Sequence, residues 1–184
     1  MSKSIPLFVD LDGTIIKEDI GQMAIKNYIA INFFRIFIII FRYVFIGKPN
    51  VKFLASQNYF VNYDDISLNK SCIEFVKNAK ALGRKVFLIS GSHEILVKKI
   101  GNKIGIFDGV YGTSKSYNMI SFNKVKFINN VLNIDKFDYI GNSQQDLKVW
   151  DYSENVIYTN VSEDLLKKIN AINKKKIFIK QTFN

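Results

Sequence analysis

Five short apolar runs alternate along the chain with segments of helical periodicity. The apolar runs cover residues 5–10, 85–89, 107–111, 137–140 and 156–158, and their length predicts buried strands. Between them, hydrophobic residues recur at helical spacing, which predicts helices over residues 51–63, 69–82, 93–99, 122–132, 146–151 and 163–173. This alternation predicts an α/β fold: a Rossmann-like, three-layer arrangement with a central parallel sheet and helices on both faces.

The most apolar stretch, residues 28–46, lies between the first two predicted strands and reads YIAINFFRIFIIIFRYVFI. It is about long enough to cross a bilayer, but Asn32, Arg35 and Arg42 interrupt it near one helical face. A span would also separate residues 1–27 from the other strands. We therefore expect a helix or helical hairpin buried against its neighbours, with membrane-surface contact or a dimer interface as alternatives. The two arginines are expected either to face an anion-binding cleft or to lie on the surface.

Composition narrows the class of protein. The chain has 184 residues, 48% of them hydrophobic, and only two prolines, which predicts a globular fold without a proline-rich linker. The net charge of +10 suits nucleic acid, an anionic membrane or small anionic substrates. Because no nucleic-acid-binding motif occurs, we expect no nucleic-acid partner. The single cysteine, Cys72, and a first strand without a preceding signal peptide favour a cytoplasmic location.

Two carboxylates follow the first predicted strand. Asp10 and Asp12 come directly after Phe8 and Val9, and Gly13 then allows the backbone to turn. Ligands of open α/β sheets bind just beyond the carboxyl ends of the strands. Two neighbouring carboxylates at such an edge are tolerable if one is protonated or if a divalent cation lies between them. The motif therefore predicts a catalytic or metal site, with an ordinary surface turn as the alternative.

Two further predicted strands end in turns whose residue types bind phosphate or metal ions in other proteins. Ser90, Gly91 and Ser92 follow the second strand and are expected to open a helix, where a hydroxyl and free N–H groups bind phosphate or simply form an N-cap. Asn142 and Asp146 follow the fourth strand and offer oxygen atoms of the kind that Mg²⁺ prefers. All three turns are predicted to meet at one edge of the sheet.

This set of motifs resembles the haloacid dehalogenase (HAD-type) phosphatase superfamily over nearly the whole chain. The Asp-x-Asp-Gly-Thr motif is complete at residues 10–14, and Ser90 and the Gly141–Asp146 turn match two further motifs, with Asn142 where Asp is usual. The stretch 137–150 is most similar to HAD-type domains associated with UbiA-type prenyltransferases, and the pattern also resembles phosphoserine-phosphatase-like enzymes. The resemblance implies a catalytic core of residues 1–15 and 67–184 and a small all-helical cap of residues 16–66.

The resemblance also implies roles for individual residues. Asp10 would be the nucleophile that forms an aspartyl-phosphate, and Asp12 the general acid and base. The metal site would comprise Asp10, Asp12, Asn142 and Asp146 around Mg²⁺, and the phosphate site would comprise Asp10, Gly13, Ser90, Gly91 and Lys124. Asn142 in place of Asp removes one negative charge, which predicts weaker Mg²⁺ affinity.

The lysine that bridges nucleophile and phosphate in this superfamily is not marked by its usual Lys-Gly pair. Ile120 and Ser121 occupy those two positions, and Lys124 lies one helical turn further on. We therefore expect Lys124 to be this catalytic lysine, with Lys126 and Lys115 as alternatives.

Structural roles are expected for the single histidine, the single tryptophan and a run of three lysines near the C-terminus. The single histidine, His93, is expected in the first turn of a helix, and Trp150 is expected in the core. The run Lys174–Lys176 is expected to be a solvated helix end.

The resulting functional hypothesis is an Mg²⁺-dependent phosphatase acting on a small phosphate monoester, such as a sugar, amino-alcohol or sugar-conjugate phosphate. One alternative is the same chemistry on a lipid-linked, polyprenyl sugar phosphate, which the apolar segment favours. The other is a non-catalytic phospholigand-binding module, which Asn142 and the missing Lys-Gly pair favour. The oligomeric state is open.

Overall fold

The computed structural model describes residues 4–183 as a parallel sheet between two layers of helices. The six strands are ordered β3-β2-β1-β4-β5-β6, and every pair is parallel. The strands are β1 (Leu7–Val9), β2 (Val86–His93), β3 (Gly109–Thr113), β4 (Asp138–Gly141), β5 (Val156–Tyr158) and β6 (Lys176–Phe178). The predicted α/β fold class is confirmed.

Eight α-helices accompany these strands within residues 4–183. They are α1 (Ile20–Ile31), α2 (Arg35–Phe45), α3 (Lys48–Gln57), α4 (Lys70–Ala81), α5 (Glu94–Ile104), α6 (Phe122–Asn130), α7 (Leu147–Trp150) and α8 (Glu163–Ala171). Side chains cap several of them; for example, the carboxylate of Asp19 accepts from the N–H of Gln22 at 2.8 Å at the start of α1. No helix in this part of the chain is both long and apolar enough to cross a membrane.

The core is divided by the sheet into two apolar clusters. Alternate residues of β1 point to opposite sides, so Leu7 and Val9 pack with α4 and α5, whereas Phe8 packs with α6, α7 and α8. Trp150 is fully buried in the second cluster, as predicted. The helices α1, α2 and α3, which we call the inserted helices, lie between β1 and β2 in sequence, and α1 and α3 join the first cluster.

Two predicted elements differ from those observed. The helix expected over residues 51–63 runs from Lys48 to Gln57, because Pro49 suits the first helical turn and residues 58–62 are not helical. The solvated helix end expected at Lys174–Lys176 is wrong: Lys174 donates to the main-chain oxygens of Trp150, Asp151 and Ser153, and Lys176 begins the edge strand β6. The strand was missed because three lysines in a row suggest a solvated segment, whereas the ammonium groups of Lys174 and Lys176 donate to main-chain oxygens.

The apolar segment 28–46 does not form one helix, and its expected burial is wrong. The chain turns at Asn32, whose side chain accepts from the N–H of Phe34 at 2.9 Å, and this turn separates α1 from α2. None of the residues of α2 is buried. Arg35 lies over the ring of Tyr28, and Arg42 donates to the side chain of Asn50. The arginines thus face the neighbouring helices, not the solvent or a cleft.

Candidate active site

A cleft of about 510 Å³ opens at the carboxyl edge of the sheet, beyond β1. This is the point where the strand order changes direction, since β1 has β2 on one side and β4 on the other. The sheet side of the cleft includes Asp10, Asp12, Gly13, Lys124, Asn142 and Asp146. The inserted helices contribute Gln22, Ile25, Lys48 and Lys52 on the opposite side.

Asp10 lies in the floor of the cleft and is 7% exposed. Its Oδ1 accepts a hydrogen bond from Nζ of Lys124 at 2.7 Å, and no group in residues 4–183 donates to its Oδ2. Burial raises the pKa of Asp10 to about 7; the Lys124 charge lowers it, and the charges of Asp146 and Asp12 raise it further. Asp10 is therefore a carboxylate whose negative charge is only partly balanced by the protein.

Lys124 belongs to a buried polar cluster beneath the cleft, which we call the Lys124 cluster: Asp10, Lys124, Tyr139 and Asp146. Nζ of Lys124 donates to the Tyr139 hydroxyl at 2.6 Å and lies 3.4 Å from Oδ1 of Asp146. The Tyr139 hydroxyl in turn donates to the same oxygen of Asp146 at 2.6 Å. Burial acts to lower the pKa of Lys124, but the carboxylates of Asp10 and Asp146 outweigh it and raise that pKa, so the ammonium stays charged.

Asp146 fixes the turn after β4. Its Oδ2 accepts from the N–H groups of Asn142 and Ser143, at 3.1 and 2.9 Å, and from the Ser143 hydroxyl at 2.8 Å. Burial acts to raise the pKa of Asp146, but Lys124 and these hydrogen bonds outweigh it and lower the pKa. Both oxygens are thus occupied, and Asp146 holds Lys124 and Asn142 in place.

Asp12 is held by three donors. The main-chain N–H of Ile20 donates to its Oδ1 at 2.8 Å, and the hydroxyls of Ser90 and Ser92 donate to its Oδ2, each at 2.8 Å. Burial raises the pKa of Asp12 and the charge of Asp19 adds to the rise, although the three hydrogen bonds oppose it. Its carboxyl group can therefore hold or release a proton beside Asp10.

Gly13 permits the close contact between the motif at residues 10–14 and the turn at residues 141–146. Its φ of +73° lies in the left-handed region, and a Cβ built there would lie 2.1 Å from Nδ2 of Asn142. The Asn142 side chain is oriented by the hydroxyl of Thr14, which donates to its Oδ1 at 3.2 Å. Any larger residue at position 13 would displace the Asn142 amide.

The turn after β2 differs from the expectation. The strand continues through Ser90, Gly91 and Ser92, and α5 begins at Glu94 with His93 as its N-cap. Ser90 and Ser92 are therefore not helix caps, and their hydroxyls bind Asp12 instead. His93 lies just before the first helical turn and is buried, and burial lowers its pKa.

The structure separates the three candidate lysines. Lys124 alone of the three reaches Asp10, whereas the Lys126 ammonium lies over the Phe122 ring and the Lys115 ammonium over the Phe53 ring. Both alternatives are exposed. The spacing argument and the tertiary contact thus select the same residue.

Sequence reasoning missed two side chains of the site. Tyr139 was assigned only to a strand, and nothing local marks its hydroxyl as the partner of Lys124. Lys52, from α3, donates to the main-chain oxygen of Gly91 at 2.7 Å and to Oδ1 of Asn118 at 2.9 Å. It lines the cleft although no motif surrounds it.

A divalent cation fits the donor set at this edge. Residues 4–183 contain no group of three His, Cys, Asp or Glu side chains placed to hold a metal. The Asp10 carboxylate and the Asn142 side-chain oxygen nevertheless lie at the same edge. Both are hard oxygen ligands of the kind that bind Mg²⁺ along with water. The under-balanced charge of Asp10 favours such a cation.

The model superimposes on solved structures of low sequence identity. A protein of unknown function from Bordetella pertussis Tohama I matches with a TM-score of 0.71 and 14% identity, over 96% of this chain and 99% of that one. A HAD family hydrolase from Salmonella enterica serovar Typhi matches with a TM-score of 0.61 and 17% identity, over 95% of this chain and 68% of that one. A phosphoserine phosphatase captured as a phospho-aspartyl intermediate analogue matches with a TM-score of 0.60 and 15% identity, over 97% and 94%.

The chain has the HAD-type fold. No family model matches the sequence. Among curated proteins, the uncharacterized protein y4nM of Sinorhizobium fredii is 25% identical over 158 residues, which cover 84% of this chain. The chain spans about 30% of the length of that relative. The HAD-type fold places β1 and its two carboxylates at the centre of the edge that carries the cleft.

Proposed function

We propose that the protein is a Mg²⁺-dependent phosphatase that hydrolyses a small phosphate monoester through an aspartyl-phosphate intermediate. The contact that carries this proposal is the 2.7 Å hydrogen bond between Lys124 and Asp10, formed in a buried site beside a second, hydrogen-bonded carboxylate. A surface turn or a structural ion pair would not need both carboxylates in a cleft. The HAD-type fold and the names of its structural neighbours, phosphoserine phosphatase and putative phosphoglycolate phosphatase, favour the same chemistry.

In the first step, an oxygen of Asp10 attacks phosphorus, and the bond from phosphorus to the ester oxygen breaks. The Asp12 carboxyl gives its proton to the departing oxygen, which leaves as an alcohol. In the second step, the Asp12 carboxylate takes a proton from water, the water oxygen attacks phosphorus, and Asp10 is released with inorganic phosphate.

The remaining residues orient and balance charge. Lys124 holds Asp10 and supplies positive charge beside the transferring phosphoryl group, while Tyr139 and Asp146 hold Lys124. Ser90 and Ser92 orient Asp12, and the N–H groups around Gly13 and Gly91 would bind phosphoryl oxygens. Mg²⁺, held by Asp10, Asn142 and the Asp12 carbonyl, would neutralise phosphate charge. We propose residues 16–66 as the cap over this cleft and residues 1–15 and 67–184 as the core.

The test is phosphate release from p-nitrophenyl phosphate, phosphoserine, phosphoglycolate and a panel of sugar and amino-alcohol phosphates, with MgCl₂ or with EDTA. We expect Mg²⁺-dependent turnover, and we expect Asp10→Asn to reduce it by at least about 10⁴-fold because the nucleophile is lost. Asp151→Asn is the matched control, since this exposed carboxylate pairs only with exposed Lys148 at 3.6 Å. Turnover that survives in Asp10→Asn would refute the aspartyl-phosphate route.

A lipid-linked phosphate is the second candidate substrate class. The exposed apolar residues of α2, which belongs to the inserted helices, favour it. The same assay with a polyprenyl phosphate sugar in detergent or liposomes separates the two classes. If a folded protein that binds Mg²⁺ turns over neither class, the non-catalytic phospholigand-binding module is the better description.

A further inference from the structure

The most unusual surface of the molecule is the outer side of α2. Large hydrophobic residues here are more than 40% exposed, in a helix with no buried residue. We call this surface the α2 face; it comprises Phe37, Ile38, Ile40, Phe41, Tyr43, Val44 and Phe45. Continuous apolar surfaces of this kind mark interaction sites in folded proteins.

In α2 the apolar side faces outward and the charged side faces inward, the reverse of an ordinary surface helix. Its two charged residues, Arg35 and Arg42, point inward to Tyr28 and Asn50, while its phenylalanines point into solvent. Phe34 stacks on Phe37 at 6.4 Å between ring centroids, and Phe41 packs on Phe45 at 4.8 Å, so the rings form a row along the outside. A helix in water buries its apolar side against the protein. This one presents that side outward.

The segment that contains α2 carries charge of one sign. Between Asp19 and Asp64 the chain contains no Asp or Glu. Of its five basic residues, Arg35 and Arg42 point inward and Lys52 lies in the cleft, whereas Lys26 and Lys48 are exposed. The ammonium of Lys48 lies 5.6 Å from the ring centroid of Tyr43, so one of these cations stands directly beside the apolar face. An apolar helix face bordered by a basic side chain is typical of helices that lie in the surface of anionic membranes.

We propose that the α2 face docks on an anionic lipid surface, with α2 parallel to the membrane plane. The helix has 11 residues and is about 16 Å long, too short for a hydrocarbon core of ~30 Å, so it lies on the membrane instead of crossing it. Phenylalanine rings enter the boundary between headgroups and acyl chains, and the exposed Lys48 beside them meets lipid phosphates.

The charge distribution favours lipid over a second copy of this chain. A symmetric dimer through the α2 face would bring the same surface of two copies together, and each copy would bring the exposed Lys48 beside that face and no Asp or Glu from residues 20–63. Anionic headgroups instead complement that charge. Lys48 also lines the cleft, so the docked face and the candidate active site share a border.

The test measures vesicle binding by the whole chain, and it is independent of any phosphatase activity. Two kinds of vesicle are sedimented with the protein at low and high salt. One is phosphatidylcholine alone, and the other also contains the anionic lipid phosphatidylglycerol. We expect binding to the anionic vesicles, weaker binding at high salt, and at least about tenfold weaker binding of the double variant Phe37→Ser, Phe41→Ser. The matched control is Leu82→Ser, Val131→Ser, two exposed apolar residues outside the inserted helices.

Sedimentation equilibrium of the same proteins measures their oligomeric state, and with the binding data it identifies the results that would overturn the proposal. A dimer that the double variant abolishes, together with no vesicle binding, would assign the α2 face to a second copy and overturn the proposal. A monomer that binds neither type of vesicle would overturn it as well, as would binding that Phe37→Ser, Phe41→Ser leaves unchanged. Circular dichroism checks that both double variants remain folded, which is expected because all four residues are exposed.

Discussion

The Lys124 cluster and the α2 face both depart from the usual distribution of residues, in which charged groups are exposed and large apolar groups are buried. The cluster places two carboxylates, an ammonium and a phenol hydroxyl inside the protein, whereas the α2 face places phenylalanine and isoleucine outside. In the cluster each charge is close to an opposite charge or a hydrogen-bond donor, so its members depend on one another. The exposed apolar residues have few partners in the chain. Folding stability should therefore depend strongly on the first region and hardly on the second.

The largest effect on stability is expected when the cation of the Lys124 cluster is removed. In Lys124→Met, Asp10 and Asp146 would remain buried without their shared partner, so we expect the free energy of unfolding to fall by about 3–5 kcal/mol and turnover to be lost. Urea unfolding measures the first effect and phosphate release the second. Lys126→Met, an exposed lysine on the same helix, should change stability by less than about 0.5 kcal/mol. Equal stability of the two variants would show that the buried carboxylates do not depend on Lys124.

A smaller change tests the hydroxyl that joins Lys124 to Asp146. Tyr139→Phe keeps the ring but leaves both groups without one hydrogen bond, so we expect a loss of about 1–3 kcal/mol in unfolding free energy, together with reduced turnover. Urea unfolding and turnover rates give the result. Tyr158→Phe is the control, because no hydrogen bond of its hydroxyl occurs within residues 4–183. If Tyr139→Phe changes neither quantity, Asp10 and Asp146 position Lys124 without the help of the hydroxyl.

The pKa of Asp10 predicts how pH affects metal binding. In the metal-free protein this pKa is raised from 3.8 to about 7, so below pH 7 a proton competes with Mg²⁺ for the carboxylate. We expect apparent Mg²⁺ affinity to be roughly tenfold higher at pH 8 than at pH 6, measured by calorimetric titration. The same shift means that, without metal, this group stabilises the fold at low pH and that the contribution is lost as pH rises from about 4 to 7. Affinity that is constant across this range would contradict the raised pKa.

The smallest effect is expected at the α2 face. Phe41→Ala removes a ring that is 57% exposed, so the free energy of unfolding should change by less than about 0.5 kcal/mol. The control is Phe137→Ala, since that ring is fully buried and its loss should cost about 3–5 kcal/mol. Thermal or urea unfolding measures both variants. A large loss in Phe41→Ala would show that α2 stabilises the fold and would weaken the contrast between the two regions.

Much of the fold followed from local pattern. Five of the six strands and the helices around them appear as apolar runs and periodic segments, because burial on a sheet or a helix face imposes period and length on the chain. The sixth strand did not, since Lys174 satisfies main-chain oxygens of Trp150, Asp151 and Ser153 that only the folded chain brings to it. Ser90 was similarly placed at a strand end, but its binding to Asp12 depends on a contact between residues 78 positions apart.

The sequence by itself determined the α/β class, the edge of the sheet where the candidate active site lies, and the carboxylates Asp10 and Asp12 there. These follow from the periodicity and from the alternation of strands and helices along the chain. Only the tertiary structure decided that Lys124 meets Asp10 across 114 positions and that Tyr139 joins it to Asp146. It also decided that the hydrophobic side of α2 faces outward. Periodicity reports how polar and apolar residues are spaced, but which side of a helix is covered depends on packing with other elements. That packing turns Arg35 and Arg42 inward and leaves the phenylalanines exposed.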